Sequence, residues 1–182
     1  MESQLNTSKS KPIDKYSDRR LMPRVIIPKN LLQLSGKSIM VSGDLNYFIK
    51  YGIPLINSHL KHKLDTNLII NCVDFQLSTA NSILNKYFPT KSTERVFLIK
   101  TDFSNFIFVA PERKQSYLKT IRFYVAKLLR SKCNIPLIVT DIDALITSNK
   151  FDDEYSSLIS SQTTFGVGSQ FNFINDSFFK SA

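Results

Sequence analysis

Four short apolar runs, Ile39-Met40-Val41, Leu68-Ile69-Ile70, Val96-Phe97-Leu98-Ile99 and Leu137-Ile138-Val139, recur along the chain without alternating with polar residues. A strand wetted on one face alternates apolar and polar side chains, whereas an unbroken run is covered on both faces. Two-sided burial requires helices above and below the sheet, and helices of suitable length separate the runs. Strands are expected at Ser38–Ser42, Asn67–Val73, Arg95–Ile99 and Ile135–Thr140. The first helix is expected over Asn46–Lys61, with Pro54 as a kink or an early helical position. The second should be capped by Ser78 or Thr79 and end near Tyr87, before Pro89. The third and longest is expected from about Lys114 to Ser131, with Tyr117, Leu118, Ile121, Tyr124, Val125, Leu128 and Leu129 at helical spacing. Phe106–Val109 reads as a strand or a packed loop. A short helix over Asp153–Ser160 and strands near Thr164–Val167 and Phe171–Ile174 complete the pattern. Strand and helix in alternation specify an α/β fold, a mostly parallel Rossmann-like sheet with helices on both faces.

The chain has 182 residues, 42% of them hydrophobic and 21% charged, enough for the core of one domain. Residues 1–23 are polar and basic and read as a flexible tail, which leaves 24–182 as a single α/β domain. No apolar run approaches the roughly 20 residues that span a bilayer, and Met1-Glu2-Ser3-Gln4-Leu5 lacks the order of a secretory signal. Cys72 and Cys133 are too few and too far apart for a disulfide framework or a zinc site, so both read as buried thiols. A cytoplasmic location is the expectation from these features.

The net charge of +9 is unevenly distributed. Residues 1–38 carry eight basic groups against three acidic ones, while from Asn134 onward six acidic groups face only Lys150 and Lys180. A nucleic-acid surface interleaves cations with exposed aromatics; here the aromatics sit in apolar runs, which argues against nucleic acid as the partner. An acidic C-terminal portion that attracts a cation, beside a basic middle that can meet phosphate, fits a metal-assisted, phosphate-containing ligand better.

Asp141-Ile142-Asp143, directly after the fourth strand, is the sharpest chemical feature. Alternation would project the two carboxylates together and turn Ile142 into the core. Ligands in open α/β sheets bind beyond the carboxyl ends of the strands. Two adjacent carboxylates repel unless a cation lies between them. Mg²⁺ or Mn²⁺ suits such a pair, because each accepts one or two carboxylates and completes its shell with water and phosphate oxygens. A turn Asp after a strand is the plain structural alternative.

With Arg122 on the preceding helix, the segment Ile138-Val139-Thr140-Asp141-Ile142-Asp143-Ala144-Leu145 resembles the DXD region of glycosyltransferases with the GT-A-type nucleotide-diphospho-sugar transferase fold. The resemblance covers roughly residues 38–168. It implies that Ser42, Gly43 and Asp44, after the first strand, receive the nucleotide, and that Asp74, after the second, holds the base or ribose. It further implies Asp143 as direct metal ligand, Asp141 as a second ligand or a ribose contact, and Arg122 as the group that steadies the diphosphate or donor sugar. The implied partners are a nucleotide-diphospho-sugar donor and an unknown acceptor, and the implied activity is hexosyl transfer.

The chain departs from that pattern in two ways. Its histidines, His59 and His62, lie upstream of the DXD and read as solvated helix-end residues rather than as a further metal ligand. The stretch after Asp143 is short for an acceptor half and rich in Phe (Phe165, Phe171, Phe173, Phe178 and Phe179), which implies a truncated member whose edge a second copy or a partner chain covers. A non-catalytic nucleotide-sugar-binding module is therefore the main alternative. A haloacid-dehalogenase-type phosphatase, with Asp141 as nucleophile, fits less well because Leu145 stands where that motif has Thr or Val. A two-metal nucleotidyltransferase would need a third carboxylate on a neighbouring strand.

Deletion of residues 1–23 is expected to leave the melting temperature within a few degrees. A thermal melt of the shortened chain checks the domain boundary.

Overall fold

The computed structural model describes residues 23–89, 93–104, 111–133, 135–160, 165–167 and 172–174. Its strands are β1 (Arg24–Ile26), β2 (Ser38–Gly43), β3 (Asn67–Val73), β4 (Val96–Asp102), β5 (Leu137–Val139), β6 (Phe165–Val167) and β7 (Asn172–Ile174). They form one sheet in the order β1-β4-β3-β2-β5-β7-β6. The central four, β4, β3, β2 and β5, are parallel, and the outer strands run antiparallel to their neighbours. The helices are α1 (Leu45–Tyr47), α2 (Ile53–Lys61), α3 (Leu77–Tyr87), α4 (Pro111–Cys133) and α5 (Phe151–Ser160). The fold is α/β with a mostly parallel, Rossmann-like sheet. Among the described residues, no helix is long and apolar enough to cross a membrane.

The unbroken apolar runs have a direct cause in the packing. Ile39, Val41, Leu68, Ile70, Cys72 and Leu98 turn to one face, where they meet Phe48, Leu55 and Ile56 before and within α2 and Ala80 and Leu84 of α3. The intervening Met40, Ile69, Val73, Ile99, Leu137 and Val139 turn to the other face, against Ile121, Val125, Ala126 and Leu129 of α4. Both sets are apolar because both faces are covered, and all seven residues of β3 are buried.

Several boundaries differ from the sequence expectation. The stretch expected as one kinked helix is α1, a π-helical turn over Phe48–Gly52, and α2, with Pro54 in the first turn of α2, where a missing N–H costs nothing. The helix expected to be capped by Ser78 or Thr79 begins at Leu77, after Gln76, whose side chain makes no capping hydrogen bond. The strand β4 runs on to Asp102, because β1 pairs with its far end as Arg24↔Asp102. The basic segment through residue 22 and the Phe106–Val109 run lie outside the described residues; Pro23 is buried. His59 is not on a solvated helix end. It is 2% exposed, with Nε2 2.7 Å from the carbonyl of Thr66, because α2 packs it over the loop that leads into β3. Cys72 is buried as expected, whereas Cys133 is only half-buried.

The amino ends of β2 and β3 are clamped by α5. The Tyr155 hydroxyl donates to the carbonyl of Ser38 (2.8 Å) and accepts from its N–H (3.2 Å), which joins α5 to the first residue of β2. The Asp152 carboxylate accepts from the N–H of Asp65 (2.7 Å) and from the Thr66 hydroxyl, and Lys37 lies 3.5 Å away. Burial alone would raise the Asp152 carboxyl, but the hydrogen bonds from Thr66 and Asp65 and the Lys37 ammonium outweigh it and hold it below the ordinary range. A depressed carboxyl contributes stability above its unfolded value of about 3.9 and loses it as pH falls through the folded value.

Asp152→Ala is expected to cost roughly 1–3 kcal/mol, since it strands the Asp65 and Thr66 donors. The difference from wild type should be full near neutral pH and shrink as the pH falls below about 4. Denaturant unfolding at several pH values measures both.

Candidate functional site

The chain leaves β2 toward β3 and β4 on one side, then returns to place β5 on the other. The crossovers therefore diverge between β2 and β5, and a crevice opens at the carboxyl ends of these strands. A cavity of about 380 Å³ occupies this place. Ser42, Gly43 and Asp44 reach it from the end of β2, Val73 from β3, and Asp141, Ile142 and Asp143 from the loop after β5. Leu118, Lys119 and Arg122 wall it from α4, and Tyr47 from α1. Six residues singled out in the sequence, Ser42, Gly43, Asp44, Arg122, Asp141 and Asp143, thus share one cavity.

The geometry behind the paired carboxylates differs from strand alternation. The strand β5 ends at Val139, and Asp141–Asp143 form a turn in which the Ala144 N–H donates to the Asp141 carbonyl at 3.2 Å. The side-chain outcome is nonetheless the expected one: Asp141 and Asp143 are exposed, and Ile142 is 4% exposed. Gly43 makes room for Ile142, and Gly52 lies against its other side. A Cβ on Gly43 would lie 2.8 Å from Ile142 Cδ1 and 3.2 Å from Tyr47 Cβ, and one on Gly52 would lie 3.4 Å from the same Ile142 atom. Ile142 is therefore packed between the end of β2 and the turn before α2, which fixes the middle of the turn that carries its two Asp neighbours.

Charge is arranged across the cavity. Arg122 of α4 forms an ion pair with Asp141 through Nη1. Its Nε–H is buried without an acceptor among the described residues. An orphaned guanidinium donor beside an ion pair leaves bonding capacity for an anion. Lys119 stands one turn earlier on the same helix and, like Asp143, makes no ion pair or hydrogen bond among the described residues. The Asp44 carboxylate accepts from the Tyr47 N–H at 2.9 Å.

Asp74 is separate from this group. Its backbone is left-handed (φ 59°), and its carboxylate accepts from the Phe103 N–H at 2.8 Å, so it ties the turn after β3 to the end of β4 and does not line the cavity. Cys72 is no nucleophile, since burial pushes its thiol up to about 12. Sequence reasoning missed Lys119 and Tyr47. Lys119 was open to detection as the helical i−3 neighbour of Arg122; nothing in the sequence set Tyr47 apart from the other aromatics on its helix.

The donor set is hard oxygen: three carboxylates and a hydroxyl on one cavity wall. That set suits Mg²⁺ or Mn²⁺ and not a soft metal. Among the described residues, no three acidic, imidazole or thiol groups converge as a complete metal site. A hard cation held by Asp141 and Asp143 would thus draw its remaining ligands from water and from the oxygens of a bound anion.

Gly43→Ala is expected to destabilise by roughly 1–3 kcal/mol, as overpacking against Ile142 does. Removal of Cδ1 with Ile142→Val should relieve the clash, so the double variant should lose less than the sum of the single ones. Thermal unfolding of the four proteins measures that coupling.

No protein-family model matches this chain, and no curated protein is detectably similar to it in sequence, so the functional reading rests on the residues of the cavity themselves.

Proposed function

We propose that the protein is a GT-A-like glycosyltransferase that binds a nucleotide-diphospho-sugar at the carboxyl ends of β2, β3 and β5, with Mn²⁺ or Mg²⁺ held by Asp141 and Asp143. The observation that carries this reading is the Arg122–Asp141 ion pair beside Asp143, which has no ion pair among the described residues, in a cavity at the point where the strand order reverses. One wall offers carboxylates to a cation, and the facing helix offers Arg122 and Lys119 to phosphate. A diphosphate bridging the two satisfies both sets of charges.

In this mechanism an acceptor hydroxyl attacks the anomeric carbon of the donor. The carbon–oxygen bond to the diphosphate breaks, the nucleoside diphosphate leaves with the bonding electron pair, and the acceptor's hydroxyl proton passes to the departing diphosphate. The bound cation would supply charge neutralisation on that leaving group. Arg122, which is already directed at the carboxylate pair, holds the diphosphate beside it, and its buried Nε–H gains an acceptor. Ser42, Gly43 and Asp44 line the nucleotide side of the same cavity.

The ion pair weighs against the phosphatase alternative, since an Asp141 nucleophile would have to attack while engaged by a guanidinium. Two-metal nucleotidyl transfer gains a third carboxylate in Asp44, just past the end of β2, the strand beside β5. That carboxylate, however, is committed to the Tyr47 N–H, and the three do not converge.

Calorimetric titration with UDP and GDP, with and without Mn²⁺, tests the proposal. Metal-dependent binding of one of them is the expected result; equal affinity in chelator, or no binding of either, sinks it. Asp143→Ala should abolish the metal dependence while the melting temperature stays within a few degrees, because an exposed turn Asp contributes little to the core. Arg122→Gln should weaken nucleotide binding about tenfold or more, as loss of a charge-assisted contact does.

A further inference from the structure

Three polar side chains form a hydrogen-bonded chain across β4, β3 and β2 that ends at the cavity. Thr101 of β4 donates from Oγ1 to Asn71 Oδ1 (2.7 Å), and Asn71 of β3 donates from Nδ2 to Ser42 Oγ (3.1 Å). Asn71 and Thr101 are 0% exposed, whereas Ser42 is half-buried and lines the cavity. Polar residues in the middle of buried strands are costly unless they are paired, and here each one is paired with the next.

The chain has a direction, and its buried end sets it. The Thr101 hydroxyl has no other partner among the described residues, so its proton must go to Asn71 if it is not to be stranded. That fixes Oδ1 toward Thr101 and Nδ2 toward Ser42. Ser42 Oγ then accepts from Asn71, and its own proton has no acceptor among the described residues except what enters the cavity. With the amide reversed, the Ser42 proton would be drawn down into the sheet and a Thr101 proton left unpaired.

On the reading of the cavity as a nucleotide-diphosphate site, we infer that Thr101 and Asn71 are positioning residues that aim the Ser42 hydroxyl as a fixed hydrogen-bond donor at a phosphate oxygen of the ligand. Neither touches the ligand. Their effect passes through the direction of one proton, and a preset donor binds without first having to reorient.

Thr101→Val removes the proton at the buried end with almost no change in shape and frees the Asn71 amide to reverse and capture the Ser42 proton. The measurement is the affinity for UDP in the presence of Mn²⁺, by calorimetry, in wild type, Thr101→Val, Thr101→Ser, Ser42→Ala and the Ser42→Ala/Thr101→Val double variant. Thr101→Val should weaken binding about three- to tenfold, the usual worth of one such hydrogen bond. Thr101→Ser should bind as wild type, and Thr101→Val should cost nothing further once Ser42 is Ala. If Thr101→Val does not fold, Asn71→Leu, which removes the donor to Ser42 and keeps the bulk, takes its place in the same cycle. Wild-type affinity in Thr101→Val, or an equal loss in the presence and absence of the Ser42 hydroxyl, overturns the inference while leaving the binding reading intact. A wild-type protein that binds neither UDP nor GDP overturns the reading and the inference with it.

Discussion

Everything at the cavity depends on β2 having parallel neighbours on both sides. Its register runs Ser38↔Asn67 to Gly43↔Cys72 against β3, and Ser38↔Leu137 to Met40↔Val139 against β5. Parallel pairing brings the carboxyl ends of all three strands to one edge, and the reversal of strand order at β2 parts the loops that follow them. Residues about a hundred positions apart, Gly43 and Ile142, thereby come into contact. The DXD turn has its shape because a glycine ends β2 where a larger side chain would collide.

The cavity holds groups of both signs. Arg122 and Asp141 neutralise each other, while Asp143 and Lys119 line the cavity without an ion pair among the described residues. A cation alone must compete with Arg122 for Asp141, and an anion alone must compete with Asp141 for Arg122. A ligand that brings both charges together faces neither cost in full, because each half relieves the partner left by the other. On the proposed reading, this arrangement suits a metal-bound diphosphate better than either component by itself.

A set of polar contacts also fastens the opposite edge of the sheet. Tyr155 and Asp152 of α5 close the amino ends of β2 and β3 through Ser38, Asp65, Thr66 and Lys37, far from the carboxyl-end cavity.

The sequence by itself determined the fold class and pointed to six of the residues that line the cavity. Unbroken apolar runs such as Asn67–Val73 can be buried only between two helical layers, and side-chain alternation along each strand then assigns every apolar residue to a layer. Asp141 and Asp143 were legible as paired carboxylates after a strand, and Arg122 and Ser42–Asp44 through the resemblance to the DXD region of GT-A-type enzymes. Only the tertiary structure decided which of these groups meet. It paired Arg122 with Asp141, brought Lys119 and Tyr47 to the wall, turned Asp74 away to Phe103, and buried His59 under α2. It also placed Thr101 and Asn71 beneath Ser42, since cross-strand register joins residues that no local spacing relates. Periodicity records which face of an element a side chain takes; only the packing of distant elements sets what that face touches.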